Sequence, residues 1–375
     1  MVGWHRGSET NVYPLLLRSH CGIDPARGGS MMIYRTSFFL GIFFPAFNLF
    51  AHHSFSATFN GDVITELEGV VTEVRWRNPH ITFVLKSLDS NGDEVFWDME
   101  SQSLSIMRRM ELASPFIGVG DQITVAGNPA RRSDLNSVFA RNILLPSGEE
   151  WVFRFGASPA DLRWSDRLLG TTEKWFATEG ETSESDRGIF RVWSTSLSFG
   201  GGGLRKSDYP LTDSAQVAVI EFDPIEDAPL ANCAPKGMSY IMTQPYPMEF
   251  VDKGDKILLR IEEYDSVRTI YMADAALAEE PPPSLLGYSV GHWENDTLVV
   301  RTTRVNYPHF DGTGIPQSEA VEFTERITAF DDVGQLDYKI TVIDPETFTE
   351  PVLLEKSWVW LSGVSVEPYD CTVGD

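Results

Sequence analysis

The chain has 375 residues, of which 42% are hydrophobic and 22% are charged, a composition typical of folded rather than disordered proteins. This length exceeds what one hydrophobic core usually organises, so two domains are expected. Acidic residues outnumber basic ones by 54 to 30, giving a formal net charge of -24. Such a field repels nucleic acids and anionic membrane surfaces, and it leaves cations and neutral organic molecules as the expected partners.

Residues 31–51 have the pattern of a cleavable signal peptide. A short basic start ending at Arg35 precedes an apolar run from Phe38 to Phe50, and the small residue Ala51 follows. The run is too short to span a bilayer, which takes about 20 apolar residues. Residues 1–30 resemble neither a signal nor a domain and are expected to be a misassigned upstream extension. The mature protein is therefore predicted to be periplasmic or secreted, with no stable membrane insertion after cleavage.

Residues 52–148 predict a small β barrel. Alternating hydrophobicity indicates five strands, at 65–71, 81–85, 95–99, 122–126 and 138–144. Asn91-Gly92 provides a tight turn between the second and third strands, because both residues accept a positive φ. One short helix is expected over 101–110. Five strands with one helix resemble an OB-fold.

Residues 149–214 lack a clear period and are predicted to be a linker, whereas residues 215–375 return to a β pattern. Hairpins are expected at 256–264 with 267–272 and at 288–293 with 297–303, followed by strands at 320–330, 336–344 and 352–360. An antiparallel meander leaves exposed edges unless it closes. A calycin-like closed barrel is therefore expected, of the size that can hold one small apolar or aromatic ligand.

Two sets of motifs resemble uncharacterised exported bacterial modules. The stretch 51–146 begins Ala-His-His-Ser and contains Trp76-Arg77-Asn78-Pro79-His80, and it resembles a family of unknown function with this start and a Trp-x-Asn-Pro-His signature. Residues 215–372 look like a second such β module, whose signature here is Trp-Glu-Asn-Asp-Thr-Leu-Val-Val from Trp293. Neither resemblance assigns an activity or a catalytic residue.

Two cysteines, Cys233 and Cys371, remain once the upstream extension is removed. An even pair in an oxidising compartment predicts one disulfide, which would close nearly the whole second domain. Two separate buried thiols are the alternative.

Three histidines of the first domain suggest copper binding. Cleavage near Ala51 would place His52 or His53 close to a free α-amine. An imidazole together with a terminal amine suits Cu(II), and His53 or His80 could complete the set of nitrogen ligands. The alternative is structural, with His80 capping a turn at a strand start and the other two in a tail without function.

The second domain offers an acid–base group. Period two places Glu263 and Arg268 together on the inward face of one hairpin, and it turns Glu325 inward from a later strand. A desolvated carboxylate can act as a general acid or base, and an arginine can stabilise developing negative charge. These residues are candidates for a lyase, isomerase or hydrolase, with a structural ion-pair network as the alternative. The favoured hypothesis remains a barrel that binds a small apolar or aromatic ligand.

Overall fold

A computed structural model describes a first barrel followed by a second, larger one. The described residues are 55–110, 112, 115–153, 157–170, 188–195, 204, 206, 208–223, 227, 233–273 and 281–372, and all of them belong to one structural unit. The expected upstream extension, the signal peptide, His52, His53 and the glycine run at 200–203 lie outside these residues.

The first barrel has the strand order of an OB-fold. Its elements are α1 Phe55–Thr58, β1 Thr65–Arg75, β2 Thr82–Leu88, β3 Glu94–Glu100, α2 Leu104–Arg109, β4 Gln122–Pro129 and β5 Ser137–Leu144. The sheet order is β3-β2-β1-β4-β5, and a parallel pairing of β3 with β5 closes it. The helix between β3 and β4 follows the cap Ser103, whose hydroxyl accepts from the Ile106 N–H. The predicted OB-like barrel is thus confirmed.

Part of the predicted linker extends this first sheet. Two short strands, β6 Glu150–Val152 and β7 Leu168–Leu169, add to β5. The buried Glu150 carboxylate accepts from the backbone N–H groups of residues 163, 164 and 165 at 2.9–3.1 Å. These hydrogen bonds hold residues 163–165 against the barrel. They also satisfy the buried charge of Glu150, which would otherwise be unfavourable.

The second barrel closes with nine strands. They are β8 Val192–Thr195, β9 Met248–Asp252, β10 Lys256–Ile261, β11 Ser266–Met272, β12 Tyr288–Glu294, β13 Thr297–Thr303, β14 Glu322–Phe330, β15 Gln335–Ile343 and β16 Val352–Trp360. Helix α3, Asp213–Glu221, precedes β9. The strands pair in chain order from β9 to β16, and β8 bridges β16 and β9 to complete the ring. The mainly β fold with a closed second barrel is confirmed.

Two features of this barrel depart from the expected antiparallel meander. Strand β8 lies upstream of residue 215, inside the predicted linker, because a four-residue strand is too short to show a period. Strands β11 and β12 pair in parallel. Their connection, residues 273–287, has the length of a dozen or more residues that a parallel crossover requires.

Large side chains fill the interior of the second barrel. Trp193, Phe250, Phe323, Tyr338 and Trp358 come from five different strands, and each is at most 1% exposed. They belong to one continuous apolar cluster. The inward faces of the strands therefore form a packed core, as in small barrels whose lumen is occupied by side chains.

Candidate functional site at the junction of the barrels

The signature of the first domain contacts the second barrel. Asn78 is fully buried, and its Oδ1 accepts from the Leu104 N–H, 2.9 Å away, at the start of α2. Its Nδ2 donates to the Tyr369 carbonyl, and its backbone forms a parallel bridge with Cys371. One asparagine thus joins a loop and a helix of the first barrel to the end of the second.

The segment that Asn78 contacts is the C-terminal strap, residues 361–372, which follows β16. Its Glu367 N–H donates to Glu262 at 3.2 Å, and its Tyr369 N–H donates to Asp265 at 3.1 Å. Cys371 forms a disulfide with Cys233, with a Cα–Cα distance of 5.9 Å. The strap is therefore bonded to the second barrel along its length and presents its other side to the first.

His80 lies beside Asn78 and is also turned toward the junction. Its Nδ1 lies 3.0 Å from both Glu100 Oε1 and the Ser101 carbonyl. Burial and the charge of Lys236 lower the pKa of His80, but the Glu100 carboxylate and the Ser101 carbonyl outweigh them, so the net shift is upward. The arrangement favours an imidazolium, and the charge of Glu263 reaches it from the second barrel.

Lys236 provides a second buried cation from the other side of the junction. Its Nζ donates to Glu263 and, at 2.8 Å, to Gln244 Oε1, and it lies 5.0 Å from the centre of the Tyr240 ring. Burial alone would lower the pKa of Lys236, but Glu263 and neighbouring tyrosines raise it overall. Tyr246, Tyr264 and Tyr369 surround the pair, with ring centres 5.0–5.4 Å apart.

The predicted grouping of Glu263 with Arg268 is corrected by these contacts. Strand β10 ends at Ile261, and Glu263 lies in a 3-10 turn, so the alternation of the strand no longer sets its direction. Arg268 instead makes a bidentate ion pair with Glu325 inside the second barrel.

The Arg268–Glu325 pair belongs to the packed core of the second barrel. Ser289 and Thr302 accept from Arg268 at 3.0 and 2.6 Å, and the Tyr338 hydroxyl donates to Glu325 at 2.7 Å. Both charged side chains are at most 1% exposed. The arrangement is that of the structural ion-pair network which the sequence offered as the alternative.

A groove of about 260 Å³ opens where α2 faces the strap. Helix α2 contributes Arg108 and Arg109, and the second barrel contributes Glu262 and Glu367. Pro247, Leu361 and Val364 form apolar walls, with Ser105 and Ser365 between them. Arg109 fixes the helix to the second barrel, because its Nη1 donates to Ser194 Oγ at 2.7 Å and to the Pro245 carbonyl at 2.8 Å. This junction groove combines charges of both signs with apolar surface.

Sequence reasoning found some of the residues at the junction and missed others. His80 and Glu263 were candidates, but for different sites. Lys236 was missed, although it lies three residues after Cys233. The arginines of α2 were missed because basic residues in the last turn of a helix are ordinary.

The copper hypothesis stays a prediction, since His52 and His53 lie outside the described residues. In the part of the chain that the structure describes, no three His, Cys, Asp or Glu side chains are grouped so as to hold a metal ion. Within the same ranges, no helix is long and apolar enough to cross a membrane.

Comparison with known proteins finds a family similar to the first domain. Residues 42–138 match the family described as "Family of unknown function (DUF6152)". The predicted resemblance of this domain to an uncharacterised family is confirmed, and the match ends in the first barrel. No curated protein matches the chain significantly.

Proposed function

We propose that this chain is an exported protein that binds a small molecule in the junction groove. Export is supported by the signal-like segment 31–51 and by the Cys233–Cys371 disulfide, because disulfides persist in oxidising compartments. Binding is supported by the groove itself, since ligand sites tend to be concave, to lie between domains and to combine apolar walls with a few convergent polar groups.

We propose the groove as the ligand site in place of the interior of the second barrel, which was the site expected from the sequence. Aromatic side chains and the Arg268–Glu325 network occupy that interior. A ligand there would have to displace packed side chains, and removing large core groups costs several kcal/mol. The junction groove requires no such displacement, and its walls retain the apolar character expected of the ligand site.

Catalysis is a weaker hypothesis for the residues that suggested it. Arg268 and Glu325 satisfy each other's hydrogen bonds, and the Glu263 carboxylate is paired with Lys236. Perturbed, buried pairs of this kind are common in structural networks as well as in active sites.

A ligand-capture experiment tests the proposal. The full-length, processed protein is incubated with a small-molecule extract of its own cells, filtered free of unbound compounds and denatured, and the released compounds are analysed by mass spectrometry. Ser365→Trp narrows the groove from the exposed strap, and Ser90→Trp places the same side chain on an exposed turn of the first barrel.

The wild type and Ser90→Trp are expected to enrich the same compound, and Ser365→Trp is expected to lose it. No enrichment by the wild type contradicts the proposal. Equal enrichment by all three proteins also contradicts it and places the ligand elsewhere, with the second barrel as the next region to examine.

A further inference from the structure

The junction groove is lined by opposite charges from different barrels. Arg108 and Arg109, from the first barrel, supply the positive charges. Arg108 Nη1 makes a long contact of 3.4 Å with the Pro368 carbonyl, and a guanidinium has five N–H donors, so this contact uses one of them. A guanidinium group suits a carboxylate, which can accept two parallel hydrogen bonds from it.

Glu262 and Glu367, from the second barrel, supply the negative charges of the lining. Glu262 is 3% exposed, and burial raises its pKa against the opposing effects of Ser105, the Glu367 N–H, Arg108 and Arg109. Glu367 lies at the exposed rim, where its Oε1 accepts from Ser365 Oγ at 2.5 Å. A buried carboxylate of raised pKa gains stability when a cation is placed beside it.

The size and charge of the groove restrict what can bind. Its volume of about 260 Å³ lies slightly below the range of ordinary ligand pockets, which begins at about 300 Å³, so only a small ligand fits. A simple anion would face Glu262 and Glu367 as well as the overall charge of -24, and a simple cation would face both arginines. A molecule with both charges and no net charge avoids either penalty.

We infer that the ligand of the junction groove is a small zwitterion of the amino-acid type with an apolar side chain, a conclusion that rests on the proposed function. Its carboxylate contacts Arg108 and Arg109, and its ammonium group contacts Glu262 and Glu367. Its side chain lies against Pro247, Leu361 and Val364. Because each barrel supplies one of the charges, binding bridges the two.

Calorimetric titration of the full-length protein tests this assignment with compounds that differ by one charge. Leucine, valine and phenylalanine are the zwitterions. For leucine, 4-methylpentanoate lacks the amine and 3-methylbutylamine lacks the carboxylate. At least one zwitterion is expected to bind, and removing either charge from it is expected to weaken binding at least about ten-fold, since a hydrogen bond to a charged group contributes about 1.5–3 kcal/mol.

Two variants separate the ends of the ligand. Arg108→Gln is expected to weaken binding of the zwitterion about ten-fold and to leave binding of 3-methylbutylamine unchanged. Glu367→Gln is also expected to weaken binding of the zwitterion about ten-fold, but to leave binding of 4-methylpentanoate unchanged. Arg132→Gln, at an exposed ion pair with Asp134, is the matched control and is expected to change nothing.

If no zwitterion binds while Ser365→Trp abolishes ligand capture, the assignment of the ligand is overturned and the groove proposal stands. If the one-charge analogues bind as tightly as the zwitterion, the assignment is overturned as well. If Ser365→Trp leaves zwitterion binding intact, the groove proposal itself fails.

Discussion

Removing the Cys233–Cys371 disulfide should destabilise the protein more than any single hydrogen bond at the junction. The bond joins residues separated by 138 positions and so closes a very long loop. In the chain-entropy account of disulfides, closing a loop of this length raises the free energy of the unfolded state by about 5 kcal/mol at 25 °C. With a urea dependence of about 3 kcal/mol per molar, the unfolding midpoint should fall by about 1.7 M.

The loss should also be visible at the junction, because Cys371 belongs to the strap that contacts Asn78. Releasing Cys371 loosens the part of the strap that carries Glu367, so the reduced protein should lose ligand capture at urea concentrations well below its unfolding midpoint. Without the disulfide, this part of the strap keeps only hydrogen bonds such as those of the Glu367 and Tyr369 N–H groups, and segments with few contacts open locally before the core unfolds.

The assay is urea unfolding followed by tryptophan fluorescence, with and without a thiol reductant. A double Cys233→Ser/Cys371→Ser variant serves as the control and should match the reduced wild type under both conditions. Equal midpoints for oxidised and reduced protein, with both thiols shown to be free by alkylation, would refute the reasoning.

Three further predictions concern single contacts. Asn78→Ala should lower the free energy of unfolding by about 1–3 kcal/mol, because it leaves buried partners in both barrels without a hydrogen bond; thermal melts would show it, and an unchanged melting temperature would contradict it. The folded-state pKa of His80 is raised, so its pairing with Glu100 stabilises fully below the unfolded pKa of about 6.5, and this stabilisation is lost as pH rises through the folded value. The stability lost in His80→Gln should accordingly be larger at about pH 5.5 than at about pH 8.5 in urea titrations, and a loss that grows with pH would reverse the assignment. Arg268→Met should cost about 3–5 kcal/mol by leaving the Glu325 carboxylate buried and unpaired, whereas Arg268→Met with Glu325→Leu should regain most of it; a double variant as unstable as the single one would show that the pair itself stabilises the barrel.

The strands could be predicted because their alternation is long and their turns are marked. The hairpin of β12 and β13 was expected at 288–293 with 297–303, and Asn295 in the turn between the strands has a φ of 54°. The partner of Glu263 could not be predicted in the same way. Alternation assigns a face only while the strand continues, and the chain leaves the strand after Ile261. Extending the period past that point placed Glu263 beside Arg268, which is where the prediction failed.

The short strands of the predicted linker were missed for a related reason. Strands β6 and β8 have three and four residues, so neither contains more than two full alternations. Each nevertheless buries a tryptophan, Trp151 in one barrel and Trp193 in the other. Isolated large aromatics in a stretch without a period are thus the signal that could have shown this segment to be packed.

The junction could not be derived from either half of the sequence, because its residues satisfy each other across the two barrels. His80 was interpreted within the first domain as a turn cap or a metal ligand, and Asn78 only as part of the signature. Their described partners include the Tyr369 carbonyl and the charges of Lys236 and Glu263, all from the second barrel. The groove follows the same division, with its arginines on one barrel and its glutamates on the other. A motif with some of its partners in another module shows only part of its role by itself, and here the contacts of Asn78 with the strap form only where the two barrels meet.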